Sequence, residues 1–192
     1  QENPMYGLVN RALQQLVCSS QGEAAWNEIR KKAGVEDEVF LRMDAYPDEL
    51  TYRLVGAASE VLGVPASDLM RQFGRYWTRY TMDEGYGAML NDLGQTFQEA
   101  LSALDGMHAR VALLYPALKP PTFRVTNVSP EGLSLHYYSH RPALGPIVHG
   151  LVEGLATRFD IEVDVVQAYA KGEDHDHDRF DIRILGPLSH AA

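Results

Sequence analysis

Much of what usually announces a function is missing from this sequence. Its 192 residues include one cysteine, Cys18. It therefore has no internal disulfide and no CxxC pair for zinc or thiol redox chemistry. No apolar run approaches the ~18–20 residues that a membrane-spanning helix needs. Positive charge is scarce: 17 lysines and arginines stand against 26 aspartates and glutamates, a formal net charge of −9. No basic stripe of the kind nucleic acid requires is visible. The GxSxG elbow, the GxxxxGK[ST] loop and a GxGxxG turn after a strand are all absent, as are internal repeats and Ser- or Gly-rich linkers. What remains is an acidic chain, 45% hydrophobic and 22% charged. It is expected to be one cytoplasmic globular domain, with neither nucleic acid nor membrane as partner. Gln1 to Pro4 read as extra residues ahead of a start at Met5.

The hydrophobic period changes once along the chain. From Met5 to about Tyr115 apolar residues recur at helical spacing, as in Leu8, Val9, Ala12, Leu13, Leu16 and Val17. Breaks are expected at Gly22, Gly34, Pro47, Gly63–Pro65, Gly85–Gly87 and Gly94, and before Pro116. After Lys119-Pro120-Pro121 the period becomes two, through Phe123 and Val125, Leu133 to Arg141, Val163 and Val165, and Phe180 to Ile184. One amphipathic helix, Ile147 to Phe159, interrupts the strands, with Pro146 suited to its first turn. Helices first and strands later imply an α+β domain. Its antiparallel sheet should have about four strands, with that helix inserted.

Three groups of residues could carry chemistry. On a strand, Tyr137, Ser139 and Arg141 would share a face, offering two hydroxyls and a guanidinium to a carboxylate or phosphate. The bland alternative is an exposed strand end with a salt-bridged arginine. His108 lies on the stripe of Leu101, Leu104 and Val111, where apolar surroundings favour the neutral, metal-binding imidazole. Its bland alternative is a core histidine satisfied by a carbonyl or by Asp105. Alone it makes no zinc site, but it would suffice if a porphyrin supplied the other ligands. The run Gly172-Glu173-Asp174-His175-Asp176-His177-Asp178 could hold a divalent cation, yet it reads more readily as a solvated hairpin loop.

These segments together resemble the H-NOX family, the haem-based nitric oxide and oxygen sensor domain of soluble guanylate cyclases and bacterial proteins. The resemblance runs from Met5 to about Leu185. It is carried by Met5-Tyr6-Gly7-Leu8-Val9-Asn10, Trp26, Phe73-Gly74-Arg75-Tyr76-Trp77, Glu84-Gly85-Tyr86, Leu104-Asp105-Gly106-Met107-His108 and Tyr137-x-Ser139-x-Arg141. It implies haem b between helices and sheet, with His108 as the iron's protein ligand. Tyr137, Ser139 and Arg141 would then hold the propionates, and Pro121 would press on the macrocycle. Val9, Trp77, Ile147 and Leu151 would line the pocket. Where oxygen-binding members carry a distal tyrosine, this chain has Ile147, or Pro146 in the alternative register. The resemblance therefore implies binding of NO and CO and exclusion of O₂, by a sensor rather than an enzyme. NO would weaken the iron–histidine bond and free the helix bearing His108. The signal would pass to guanylate cyclase domains in cis, or to a histidine kinase or cyclic-nucleotide enzyme in trans. The expected domain is 5–185, with 186–192 a tail or linker start at Gly186 and Pro187. Two rivals are a haem-free module for an amphipathic carboxylic acid and a metal-dependent hydrolase centred on Asp174 to Asp178.

Overall fold

The computed structural model describes residues 4–36, 39–87, 91–115 and 119–189. Its elements, in order, are β1 (Pro4–Tyr6), α1 (Gly7–Gln21), α2 (Glu23–Ala33), β2 (Ala45–Pro47), α3 (Asp48–Leu62) and α4 (Ala66–Thr81). Then follow α5 (Phe97–Leu114), β3 (Thr122–Ser129), β4 (Gly132–Tyr138), α6 (Gly145–Arg158), β5 (Ile161–Tyr169) and β6 (Asp178–Pro187). The expected α+β division holds. Residues 1–3 and 190–192, at the ends of the expected extensions, and Pro116 lie outside the described residues.

The chain builds two cores. In the first, α1 to α4 bury Leu13, Trp26, Ile29, Leu54 and Phe73 among themselves. Gly34 closes α2 and Gly63 closes α3, with φ of 64° and 65°; this left-handed cap costs any other residue strain. In the second, the antiparallel sheet runs β3-β4-β6-β5. Its inner face presents Phe123, Leu135, Tyr137 and Phe180 to Leu101 and Leu104 of α5 and to Val152 and Leu155 of α6. Phe123 stands opposite Tyr137, and Leu135 opposite Phe180. Thr96 starts α5 with a capping box: its hydroxyl accepts from the Glu99 amide at 3.2 Å, and the Glu99 carboxylate accepts from the Thr96 amide at 3.2 Å.

Helices α4 and α6 join the two cores by a close crossing. A Cβ at Gly74 would run into the Ile147 carbonyl, and one at Gly150 into the Arg71 carbonyl. Glycine is what allows the backbones to touch. Beside the crossing, Glu153 of α6 receives Arg71 and Arg75 of α4, the latter at 2.7 Å. Burial alone would raise the Glu153 carboxyl, but hydrogen bonds from Arg71, His149 and Arg75 outweigh it and hold the group far below the carboxylate range. A depressed folded-state pKa stabilises the fold above the ordinary value of 4.5, and that stability is lost as pH falls. Glu153→Gln should therefore lower the urea midpoint at pH 7. It should also flatten the decline in stability below about pH 4.5 seen in the unaltered chain. Parallel declines in both proteins would show that the carboxylate contributes nothing.

The structure corrects three expectations. β1 and β2 pair antiparallel, Met5 opposite Tyr46, within a half expected to be all helical; three-residue strands are too short to show a period. The chain does not break at Gly85–Gly87. There α4 widens into a π-helical turn over Met82–Tyr86, because glycine permits a break without imposing one. Finally, β4 ends at Tyr138, so Ser139 and Arg141 do not continue the alternating face of Tyr137.

Candidate functional site

His108 sits on α5 where the helix faces the sheet. Its Nδ1–H donates to the Leu104 carbonyl one turn back, at 2.9 Å, and its ring lies 5.2 Å from that of Phe123. Burial pushes the imidazole pKa down, against the raising effects of the Leu104 bond and Asp105. The ring is thus neutral at pH 7, with the lone pair on Nε2. Next to it, Asp105 Oδ1 accepts the Phe123 amide at 3.0 Å and fastens α5 to β3.

Two adjoining cavities of about 410 and 390 Å³ meet at His108. Val9 of α1, Trp77 of α4 and Leu151 of α6 wall both. Together they fall in the roughly 300–1,000 Å³ range of cofactor and small-molecule sites. The second extends past Pro121 and Ile147 to Tyr137 and Arg141. Of the nine residues expected to form the site, all but Ser139 stand on its wall. Ile147 faces the space, and Pro146 is held in the first turn of α6. Two hydroxyls on its wall are committed elsewhere: Thr51 donates to Asn10 Oδ1 at 2.7 Å, and Tyr52 to the Pro142 carbonyl at 2.9 Å.

The polar end is built from parts distant in sequence. Arg141 Nε donates to both oxygens of Asp48, at 3.1 and 3.0 Å, across 93 positions of chain. Nη1 reaches the Lys119 carbonyl at 3.2 Å, and Nη2 the Pro4 carbonyl at 3.0 Å. The Arg141 side chain is 8% exposed and that of Asp48 15%, so this ion pair is largely, not fully, withdrawn from water. Among the described residues, three of the five guanidinium N–H donors are engaged, which leaves two for an anion. Ser139 Oγ accepts the Arg141 amide at 3.1 Å and keeps its own proton to give. Burial raises the Tyr137 phenol pKa, opposed by the Ser139 hydroxyl beside it and by Arg141. Tyr52 is pushed up to about 12, by burial first and then by Asp48. Both phenols are donors at neutral pH.

The profile of the haem-NO-binding (HNOB) family matches residues 6–167. The chain belongs to the H-NOX family. This is a family of haem-based gas-sensing domains related to soluble guanylate cyclases. The chain is 31% identical over 160 residues to soluble guanylate cyclase gcy-31 of Caenorhabditis elegans, covering 83% of this chain and 23% of that protein. With soluble guanylate cyclase gcy-35 of the same organism it shares 30% over 178 residues, 89% of this chain and 25% of that one. It thus spans about a quarter of the length of these curated relatives. The fold matches an H-NOX protein from S. oneidensis in its Fe(II)NO state, with TM-score 0.84, 21% identity and coverage of 95% and 100% of the two chains. It also matches the unliganded Fe(II) H-NOX protein from K. algicida, with TM-score 0.84, 22% identity and coverage of 97% and 100%.

The residues of this H-NOX domain fit a haem. A neutral imidazole would offer Nε2 to iron, apolar walls would suit the macrocycle, and a largely buried guanidinium with two hydroxyls would answer its carboxylates. Asp48 and Tyr52 are site residues that the sequence pattern does not reveal. Asp48 opens α3 directly after Pro47, a usual place for an acid at a helix N-terminus, and nothing local ties it to Arg141. The loop over Gly172–Asp178 is mostly exposed, with His177 turned in against the sheet. Among the described residues, no three His, Cys, Asp or Glu side chains are grouped to hold a metal ion. No helix among the described residues is long and apolar enough to cross a membrane.

Proposed function

We propose that this domain binds haem b through His108 and senses NO, with CO as a second ligand and O₂ excluded. One observation carries the reading: the neutral His108 ring, its Nδ1–H tied to Leu104, borders an apolar cavity that ends at the buried Arg141. Bound ferrous haem would supply the iron that takes a diatomic gas. The chain supplies the rest. Tyr137, Ser139 and the remaining N–H donors of Arg141 hold the propionates, while Pro121 bounds the macrocycle. A phenol donor beside the gas would favour O₂ by roughly 1.5–3 kcal/mol, or about 10- to 150-fold in affinity. Ile147 gives no such donor, and Thr51 and Tyr52 have committed theirs.

Signalling needs two states that differ in affinity for a partner. Here α5 is the element that links the ligand to the surface. His108 anchors its middle, Asp105 ties it to β3, and Leu113 and Leu114 stand exposed at its end. Release of His108 would let α5 shift against the sheet and change that surface. The cyclase relatives support guanylate cyclase domains as the recipient; a histidine kinase or cyclic-nucleotide enzyme in trans would use the same movement. On this reading the domain is cytoplasmic and is itself no catalyst.

Haem titration tests the proposal. A Soret band should grow to saturation at one haem per chain, and added fatty acid should not displace it. Fatty acid binding in the same cavity without a saturating Soret band would favour the haem-free module instead.

A further inference from the structure

The face of the sheet turned away from the cavity carries a second cluster. Alternation along β4 sends His136 opposite to the buried Tyr137. His136 Nδ1 lies 2.8 Å from His177 Nε2, and the Tyr169 hydroxyl is 2.8 Å from that same nitrogen. The far nitrogen of each ring also has an oxygen partner: Thr126 Oγ1 at 2.9 Å from His136 Nε2, and Asp176 Oδ1 at 2.6 Å from His177 Nδ1. A carboxylate only accepts, so His177 Nδ1 carries a hydrogen and neutral His177 presents a lone pair on Nε2. When Thr126 likewise accepts from His136 Nε2–H, a second lone pair faces the first. The other tautomer of His136 donates Nδ1–H to His177 Nε2 instead, so the pair can close on a proton or on a cation placed between its members.

We propose that His136 Nδ1, His177 Nε2 and the Tyr169 oxygen form a site for a divalent late transition-metal ion, with Zn²⁺ as the probe. Two imidazoles oriented by outer oxygens are the usual arrangement of histidine metal ligands. A fourth position stays open to water. Zinc–nitrogen bonds of about 2.0–2.1 Å at tetrahedral angles set the two nitrogens roughly 3.3 Å apart, a small widening that the exposed loop of His177 can take up. Ring stacking holds the ligands in place: Tyr138 lies 4.4 Å from His177, and His175 lies 3.8 Å from Tyr169. Burial, the neighbouring His177, Arg179 and Arg124 depress the His136 pKa while Asp181 raises it, so the ring is neutral at pH 7. Arg179 is itself paired with Asp181 at 2.9 Å. Glu173, Asp174, Asp176 and Asp178 make the loop attractive to cations. Bound metal would clamp the β5–β6 loop to the strand whose other face carries Tyr137.

The test is zinc retention by the full 192-residue chain after chelator treatment, zinc addition and gel filtration. The unaltered chain and His108→Gly should each keep one equivalent. His136→Gln and His177→Gln should keep none, and Asp176→Asn should bind about 10- to 100-fold more weakly. No retained zinc in the unaltered chain would mean that the pair shares only a proton, and overturn the proposal. Equal retention in the histidine variants would place the metal elsewhere, and overturn it too. If His136→Gln does not fold, His177→Gln and Asp176→Asn, both altered in the exposed loop, decide the matter in its place.

Discussion

His108→Gly protein should lack the ferrous absorption spectrum of the unaltered domain and regain it when imidazole is added. The reason lies in the geometry of α5. The ring is held by the Leu104 carbonyl in one tautomer and lowered in pKa by burial, so a single nitrogen is poised toward the cavity. Glycine removes that nitrogen and leaves room for free imidazole to take its place. The cost to the fold should be small beside the spectral effect, because the side chain borders a cavity and fills no packed core. Imidazole rescue separates loss of a ligand from loss of structure. An unchanged spectrum in the variant would mean that another of the seven histidines serves as ligand.

Arg141→Ala should be the most destabilising change at the polar end, and destabilising even without haem. The guanidinium bridges Asp48, Lys119 and Pro4, so removing it strands a buried carboxylate. Breaking one side of such a pair costs about 3–5 kcal/mol. Haem should also leave the variant faster, since its carboxylates lose their cation. Ser139→Ala removes one neutral hydrogen bond and should cost only about 1 kcal/mol. Asp48→Asn separates the two roles: it should lower stability less than Arg141→Ala and leave the guanidinium free for the propionates, so that haem leaves no faster. Urea midpoints of the haem-free proteins and haem off-rates of the loaded ones measure both effects. Equal midpoints and off-rates in all variants would remove Arg141 from the site.

Much of this was legible in the sequence because periodicity encodes which face is buried. The stripe of Leu101, Leu104 and His108 put the imidazole on the inner face of α5, where it is found. The alternation of Leu133, Leu135 and Tyr137 likewise marked the inner face of β4. Spacing failed where the chain leaves regular structure. Ser139 and Arg141 keep the parity of Tyr137, yet β4 stops at Tyr138 and Arg141 reaches its partners from a loop. Asp48 could not be found from local pattern, since tertiary folding brings it across 93 positions. The inward turn of His177 was hidden for a related reason. A polar run between strands looks solvated whichever member folds back, and the partner ring of His136 lies 41 positions away.

The central claim is that a ferrous haem on His108 takes NO and refuses O₂, and one absorption experiment tests it most directly. Haem-loaded protein is reduced, recorded without oxygen, exposed to air, and then given NO after oxygen is removed. The spectrum should stay that of the reduced, ligand-free protein in air and shift promptly with NO, because Ile147 provides no hydrogen bond to a charged oxygen ligand. A stable split pair of visible bands appearing in air would contradict the account and make the Trp77 indole on the cavity wall the donor to examine.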